Sequence, residues 1–208
     1  LIYFYFFVNP VLTYSQEVPP NTADTLTASI HKIQDELSVM KRFKVSGYIQ
    51  TQFQVADSSG IKSFAGGDFP ANVDKRFAVR RGRFKIAYDN KLTLYTIQVD
   101  VTEKGVGIKD AFVKITEPWT KSLSLQAGVF DRPYGFEISY SSSMRESPER
   151  SRLFQTIFPD EREVGAKLTF QPPKTSTWNF LKIEGGMFNG SGPKAVDFDY
   201  QKDFIGKI

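Results

Sequence analysis

The chain has 208 residues, no Cys, one His, 19 Phe and a formal net charge of +4. The missing Cys excludes a disulfide scaffold and a thiolate metal site, and a lone His31 speaks against an imidazole metal centre or a catalytic dyad. No apolar run reaches the roughly 18–20 residues of a membrane helix, which excludes a helical membrane protein but not a barrel, whose strands are apolar on one face only.

Residues 1–16 open on Leu1-Ile2-Tyr3-Phe4-Tyr5-Phe6-Phe7-Val8 and then lose hydrophobicity, with small residues before Gln16. This is the pattern of a secretory signal remnant whose charged start is missing. A buried N-terminal strand is the competing reading, against which Pro10 and the polar stretch after it weigh. A start at Leu1 and a stop at Ile208 inside a strand pattern read as the N-terminal fragment of a longer protein.

Residues 17–43 read as a linker and a short helix. Leu26, Ile30, Ile33, Leu37 and Met40 are spaced 4, 3, 4, 3, an a/d heptad seam, with Lys32, Asp35, Glu36, Lys41 and Arg42 off it. Asp24 or Thr25 is the candidate cap. So short a seam gains most from self-association; packing on the chain's own sheet is the alternative.

From residue 44 the period becomes two. Strands are expected near 45–55, 76–88, 91–102, 108–116, 122–130, 161–171, 178–188 and from about 202. In Tyr95-Thr96-Ile97-Gln98-Val99-Asp100-Val101 the odd positions are apolar and the even ones polar, and Leu123 to Val129 alternate likewise. A soluble sandwich has similar strands, so the connectors matter. Short turns at 89–91, 117–120 and 172–175 face long loops at 56–75, 131–160 and 189–201; the link at 103–107 is the exception. This asymmetry is that of an outer-membrane barrel, with the short turns on the periplasmic side. Tyr88, Trp119, Phe170 and Trp178 at one end, and Phe53, Phe130 and Phe188 at the other, are read as two interfacial belts.

Within 77–88 the even positions Ala78, Phe84, Ile86 and Tyr88 form the better lipid face, which turns Arg81, Arg83 and Lys85 toward water. A cation on the lipid face at the midplane costs roughly 2–4 kcal/mol. Arg80 breaks the pattern. Gln98, Asp100, Asp110, Lys114, Lys167, Lys182 and Glu184 are further lumen candidates. Stacked guanidiniums offer forked donors to small anions, phosphate-like oxygens among them. The competing picture is a mixed-charge wall in which each Arg meets a carboxylate. The 131–160 connector adds Arg132, Arg145, Arg150 and Arg152, with Glu146 and Glu149 as neutralising neighbours. Its aromatic content suggests a packed loop that narrows a lumen; an external flap is the alternative. Ser141, Ser142 and Ser143 have no His near them in sequence, so an enzyme is not expected. Nor is a metal, a cofactor or a nucleic-acid partner.

Several stretches together resemble the phosphate-selective porin O/P family in its Bacteroidetes-type branch. They are Ser46-Gly47-Tyr48-Ile49-Gln50, Arg80-Arg81-Gly82-Arg83, Lys109-Asp110-Ala111-Phe112-Val113, Gly128 to Gly135, Glu146 to Ser151 and Phe158 to Gly165. The resemblance runs from about Phe43 to the end of the chain. It implies an all-β, antiparallel transmembrane barrel of sixteen strands, of which residues 44–208 supply the first seven or eight. It further implies a homotrimer in the bacterial outer membrane, in contact with its lipid. The third extracellular loop would fold inward, and inward arginines such as Arg81 and Arg83 would pass small anions, phosphate included.

Overall fold

A computed structural model describes residues 22–208, except 65, 104, 158–160, 194, 195 and 198. The expected signal remnant at 1–16 lies outside the described residues. The chain divides into two units, residues 1–40 and 41–208.

The first unit contains helix α1 (Thr22–Met40). It starts ahead of Asp24 and Thr25, so neither is its cap. Asp24 instead lies in the first turn, where its charge complements the exposed N–H groups. The helix stops two residues before the first strand begins.

The second unit is one antiparallel sheet. Its strands are β1 (Phe43–Val55), β2 (Lys75–Asn90), β3 (Thr93–Thr102), β4 (Gly105–Thr116), β5 (Leu123–Asp131), β6 (Arg162–Phe170), β7 (Ile183–Phe188) and β8 (Asp203–Lys207). Each pairs with its neighbour in chain order, without a crossover. A short helix, α2 (Arg152–Ile157), interrupts the connector between β5 and β6. Seven of the eight strand positions lie close to expectation. The exception is β7, which starts at Ile183 rather than near 178. Trp178 donates its N–H to Ser176 Oγ at 3.2 Å and Leu181 donates to the Trp178 carbonyl at 3.0 Å, so this stretch closes turns instead of a ladder. The short turn expected at 172–175 is thus the start of a longer connector.

The sheet is inverted relative to a water-soluble one. Its apolar face is bare: Ile49 is 76 %, Phe77 85 % and Ile97 60 % exposed. Val45, Phe84, Ile86, Val101, Ile115, Leu125 and Leu168 are exposed with them. Its covered face is polar: Arg81 is 4 %, Glu163 1 % and Lys167 6 % exposed, with Thr96, Asp110, Ser124, Thr169 and Glu184 also buried. The period of two fixes both faces at once, because a strand that turns Thr96, Gln98 and Asp100 one way must turn Tyr95, Ile97 and Val101 the other.

Two β-bulges modify this alternation. Gln50 pairs with Arg81 and Thr51 with Val79, which leaves Arg80 as the extra residue of β2. Gln98 pairs with Asp110 and Val99 with Ile108, which leaves Lys109 as the extra residue of β4. Beyond the first bulge the faces of β2 exchange. Ala78, expected on the apolar face, is buried with the polar set, and Phe77 is turned outward.

Phe130 and Phe188 are likewise not part of an outer belt. Both are fully buried. Phe130 pairs across to Glu163 and Phe188 to Gly165. Phe112, Phe130 and Phe188 stack edge-on, with centroids 6.2 and 5.7 Å apart. Glycine makes room for them: a Cβ on Gly165 would sit 2.6 Å from a Phe188 ring carbon, and one on Gly186 would sit 2.8 Å from another.

Candidate functional site

The site grows from the two bulges. A bulge turns two successive side chains of one strand toward the same region. At the first, Arg80 and Arg81 reach one carboxylate. Arg80 Nε donates to Glu149 Oε1 at 2.6 Å and Nη2 to Oε2 at 2.9 Å, a forked pair. Arg81 Nη2 donates to the same Oε2 at 3.1 Å. Arg81 Nη1 is shared between Gln50 Oε1 at 2.7 Å and the Pro148 carbonyl at 2.9 Å. At the second, Lys109 Nζ lies 3.0 Å from Glu161 Oε2, and Asp110 Oδ1 accepts from Arg162 Nε at 2.7 Å. Glu161 also pairs with Arg162 Nη1 at 3.2 Å and with Arg150.

These contacts lay the β5–β6 connector across the polar face. Between the anchors, Ser142 Oγ meets the Tyr48 hydroxyl at 2.5 Å and accepts from Arg83 Nη1. Arg150 donates to the carbonyls of Glu137 at 2.9 Å and Ile138 at 3.1 Å, and Ile138, part of the same loop, is buried. A cavity of about 450 Å³ remains between loop and sheet, lined by Tyr48, Arg83, Lys85, Asp110, Ser142 and Arg150 among others.

Arg81, Arg83 and Lys85 therefore share the polar face, as the alternation predicts. Arg83 Nε is 3.5 Å from Asp100 Oδ2. Lys85 and Arg145 form no salt bridge among the described residues. Nε and Nη1 of Arg145 are buried without a hydrogen-bond acceptor there. The remaining loop arginines separate. Arg150 belongs to the second anchor, and Arg132 Nη1 lies 3.9 Å from Glu163 on β6. Arg152 does not join them: it is exposed on α2, with its guanidinium 5.2 Å from the Phe64 ring centre.

The loop's titration follows from this packing. Burial raises the Glu149 carboxyl, and the Arg80 hydrogen bond with the charges of Arg80, Arg81 and Arg145 outweighs it, so the group lies below its ordinary value. Burial lowers Arg150 to about 10, helped by Arg145, Arg162 and Arg83. Burial also lowers Arg145, which Glu149 partly restores and Arg83 again depresses. All three remain charged at neutral pH.

Reading the sequence did not single out Glu149 and Glu161 as loop anchors, nor Tyr48, Gln50 and Ser142 as their neighbours. A signal for the anchors was present. Arg80-Arg81 and Lys109-Asp110 are charged doublets inside alternating strands, and each is a bulge. Among the described residues no group of three or more His, Cys, Asp or Glu could hold a metal ion. No described helix is long and apolar enough to cross a membrane, which leaves crossing by strands untouched. Comparison of the chain with protein-family models, curated proteins and solved structures finds no match.

Proposed function

We propose that the sheet is a segment of the wall of a transmembrane β-barrel. The chain would then belong to an outer-membrane porin of the phosphate-selective type, passing small anions by passive diffusion. The observation that carries this is the inverted sheet. In water, so large a bare apolar face is an aggregation hazard, and ionised groups such as Arg81, Lys167 and Glu184 are poor core material. In a barrel wall the bare face meets lipid and the polar face meets the lumen. The edges of β1 and β8 lack partners among the described residues, and further strands would cover them.

Anion preference draws support from Lys85, which lines the cavity beside Arg83 and forms no salt bridge among the described residues, and from two buried nitrogens of Arg145 that lack an acceptor there. The clamped β5–β6 loop would form the constriction. A second reading, a general-diffusion or plugged structural barrel, draws support from the pairing of Arg80, Arg81 and Arg162 with carboxylates.

Full-length protein in a planar bilayer under a KCl gradient distinguishes them. The proposal predicts open channels with a reversal potential on the anion side. A potential near zero favours general diffusion, and the absence of conductance favours a plug.

A further inference from the structure

We infer that the cavity between the β5–β6 connector and the sheet takes a sugar acid, a small anion with one carboxylate and several hydroxyls. The inference rests on the pore reading, since it names the anion that the same cavity would take. The cavity floor is a cross-strand row. Ser46 pairs with Lys85, Lys85 with Gln98 and Gln98 with Asp110, and all four line the space. Neighbours in such a row stand roughly 5 Å apart at their Cβ atoms. A hydroxyl, an ammonium, an amide and a carboxylate therefore follow one another along it. Among the described residues, the side chains of Ser46, Lys85 and Gln98 have no hydrogen-bond or salt-bridge partner.

The charges around this row set the charge of the ligand. Arg162 meets Asp110 at 2.7 Å, Arg150 meets Glu161, and Arg83 faces Asp100 at 3.5 Å. These guanidiniums already have carboxylates of the chain beside them, so Lys85 remains to meet an incoming charge. Asp131 lines the same cavity and forms no salt bridge among the described residues. Its charge opposes a doubly charged oxyanion and accepts from a neutral hydroxyl instead. The uncharged groups set the rest of the ligand. Ser46 and Gln98 flank the ammonium with donors and acceptors suited to hydroxyls, and Tyr48 and Tyr140 add aromatic rings to the lining. At about 450 Å³ the space lies within the roughly 300–1,000 Å³ of small-molecule sites and exceeds what an inorganic oxyanion fills. A sugar acid presents its one charge to Lys85 and its hydroxyls to the neighbours on either side.

Calorimetric titration of the full-length protein in detergent tests this with glucuronate, set against glucose, acetate and inorganic phosphate. Glucose lacks the charge and acetate the hydroxyls, so each should bind roughly tenfold more weakly than glucuronate, or weaker still. Phosphate or acetate binding as tightly as glucuronate overturns the inference, as does no binding of glucuronate. So does free serine binding as tightly, the result of a site built for zwitterions. Lys85→Gln should bring glucuronate down to the level of glucose; undiminished binding overturns the assignment of the charge. Gln98→Leu should weaken glucuronate and leave acetate unchanged, and equal loss of both overturns the contact with hydroxyls. Chloride conductance of the same samples tests the pore separately. Binding without conductance keeps the site and removes the pore, and conductance without binding does the reverse.

Discussion

Arg81 joins the long loop to the sheet. Its guanidinium binds Glu149, Gln50 and the Pro148 carbonyl while almost fully buried. A reversed charge there would detach the loop as well as alter the proposed lumen, so the cleaner probe of selectivity is Lys85. Lys85→Glu should shift the reversal potential toward cations while the loop stays in place; an unchanged potential would remove Lys85 from the permeation path. Glu149→Gln tests the clamp. Losing a charged acceptor for two guanidiniums should loosen the loop by roughly 1.5–3 kcal/mol, read as faster hydrogen exchange across 142–150 and larger conductance. Acid should reproduce the variant. Because the Glu149 carboxyl is lower in the clamped loop than in a released one, its contribution is complete above the ordinary carboxylate value of about 4.3 and is lost as pH falls through the lower, clamped value. Conductance should therefore hold steady near neutrality and rise only in stronger acid, and Glu149→Gln should remove that dependence.

Among the elements, the strands were the most legible. Tyr95 to Val101 and Leu123 to Val129 alternate without interruption, and the structure places their odd residues outside and their even residues inside. What escaped was the change of phase within a strand. Ala78 is misassigned by any rule that carries the alternation of Phe84 and Ile86 past Arg80, because the bulge there exchanges the faces. Phe130 and Phe188 were misplaced for another reason. Their position at strand ends suggests a belt, whereas their parity, shared with Ser124 and Glu184, sets their face. Substituting Phe188 by Ala should destabilise the sheet by about 3–5 kcal/mol, measured by denaturant unfolding, since Gly165 and Gly186 offer nothing to fill its space. The turn after β4 makes a different prediction. The Thr120 hydroxyl and the N–H groups of Ser122, Thr120 and Trp119 bind the Glu117 carboxylate and lower it to about 2. Glu117→Ala should speed exchange of the amides at 119, 120 and 122. The native turn should keep its protection as pH falls through the ordinary carboxylate range and lose it only near the lowered value.

At the scale of the whole molecule, the order of strands was readable because short turns and long loops force neighbours in sequence to be neighbours in space. The seating of the β5–β6 loop was not, because a loop has no period to direct Glu149 or Ser142. The central claim is that the bare face of the sheet meets lipid and the polar face meets water. Ile97 and Gln98 test it side by side, since they are consecutive residues of β3 that point to opposite faces. With a fluorophore on Ile97→Cys or on Gln98→Cys in full-length protein reconstituted in vesicles, brominated lipid should quench the first label and iodide the second. Iodide quenching at both positions, with no effect of brominated lipid, would contradict the account.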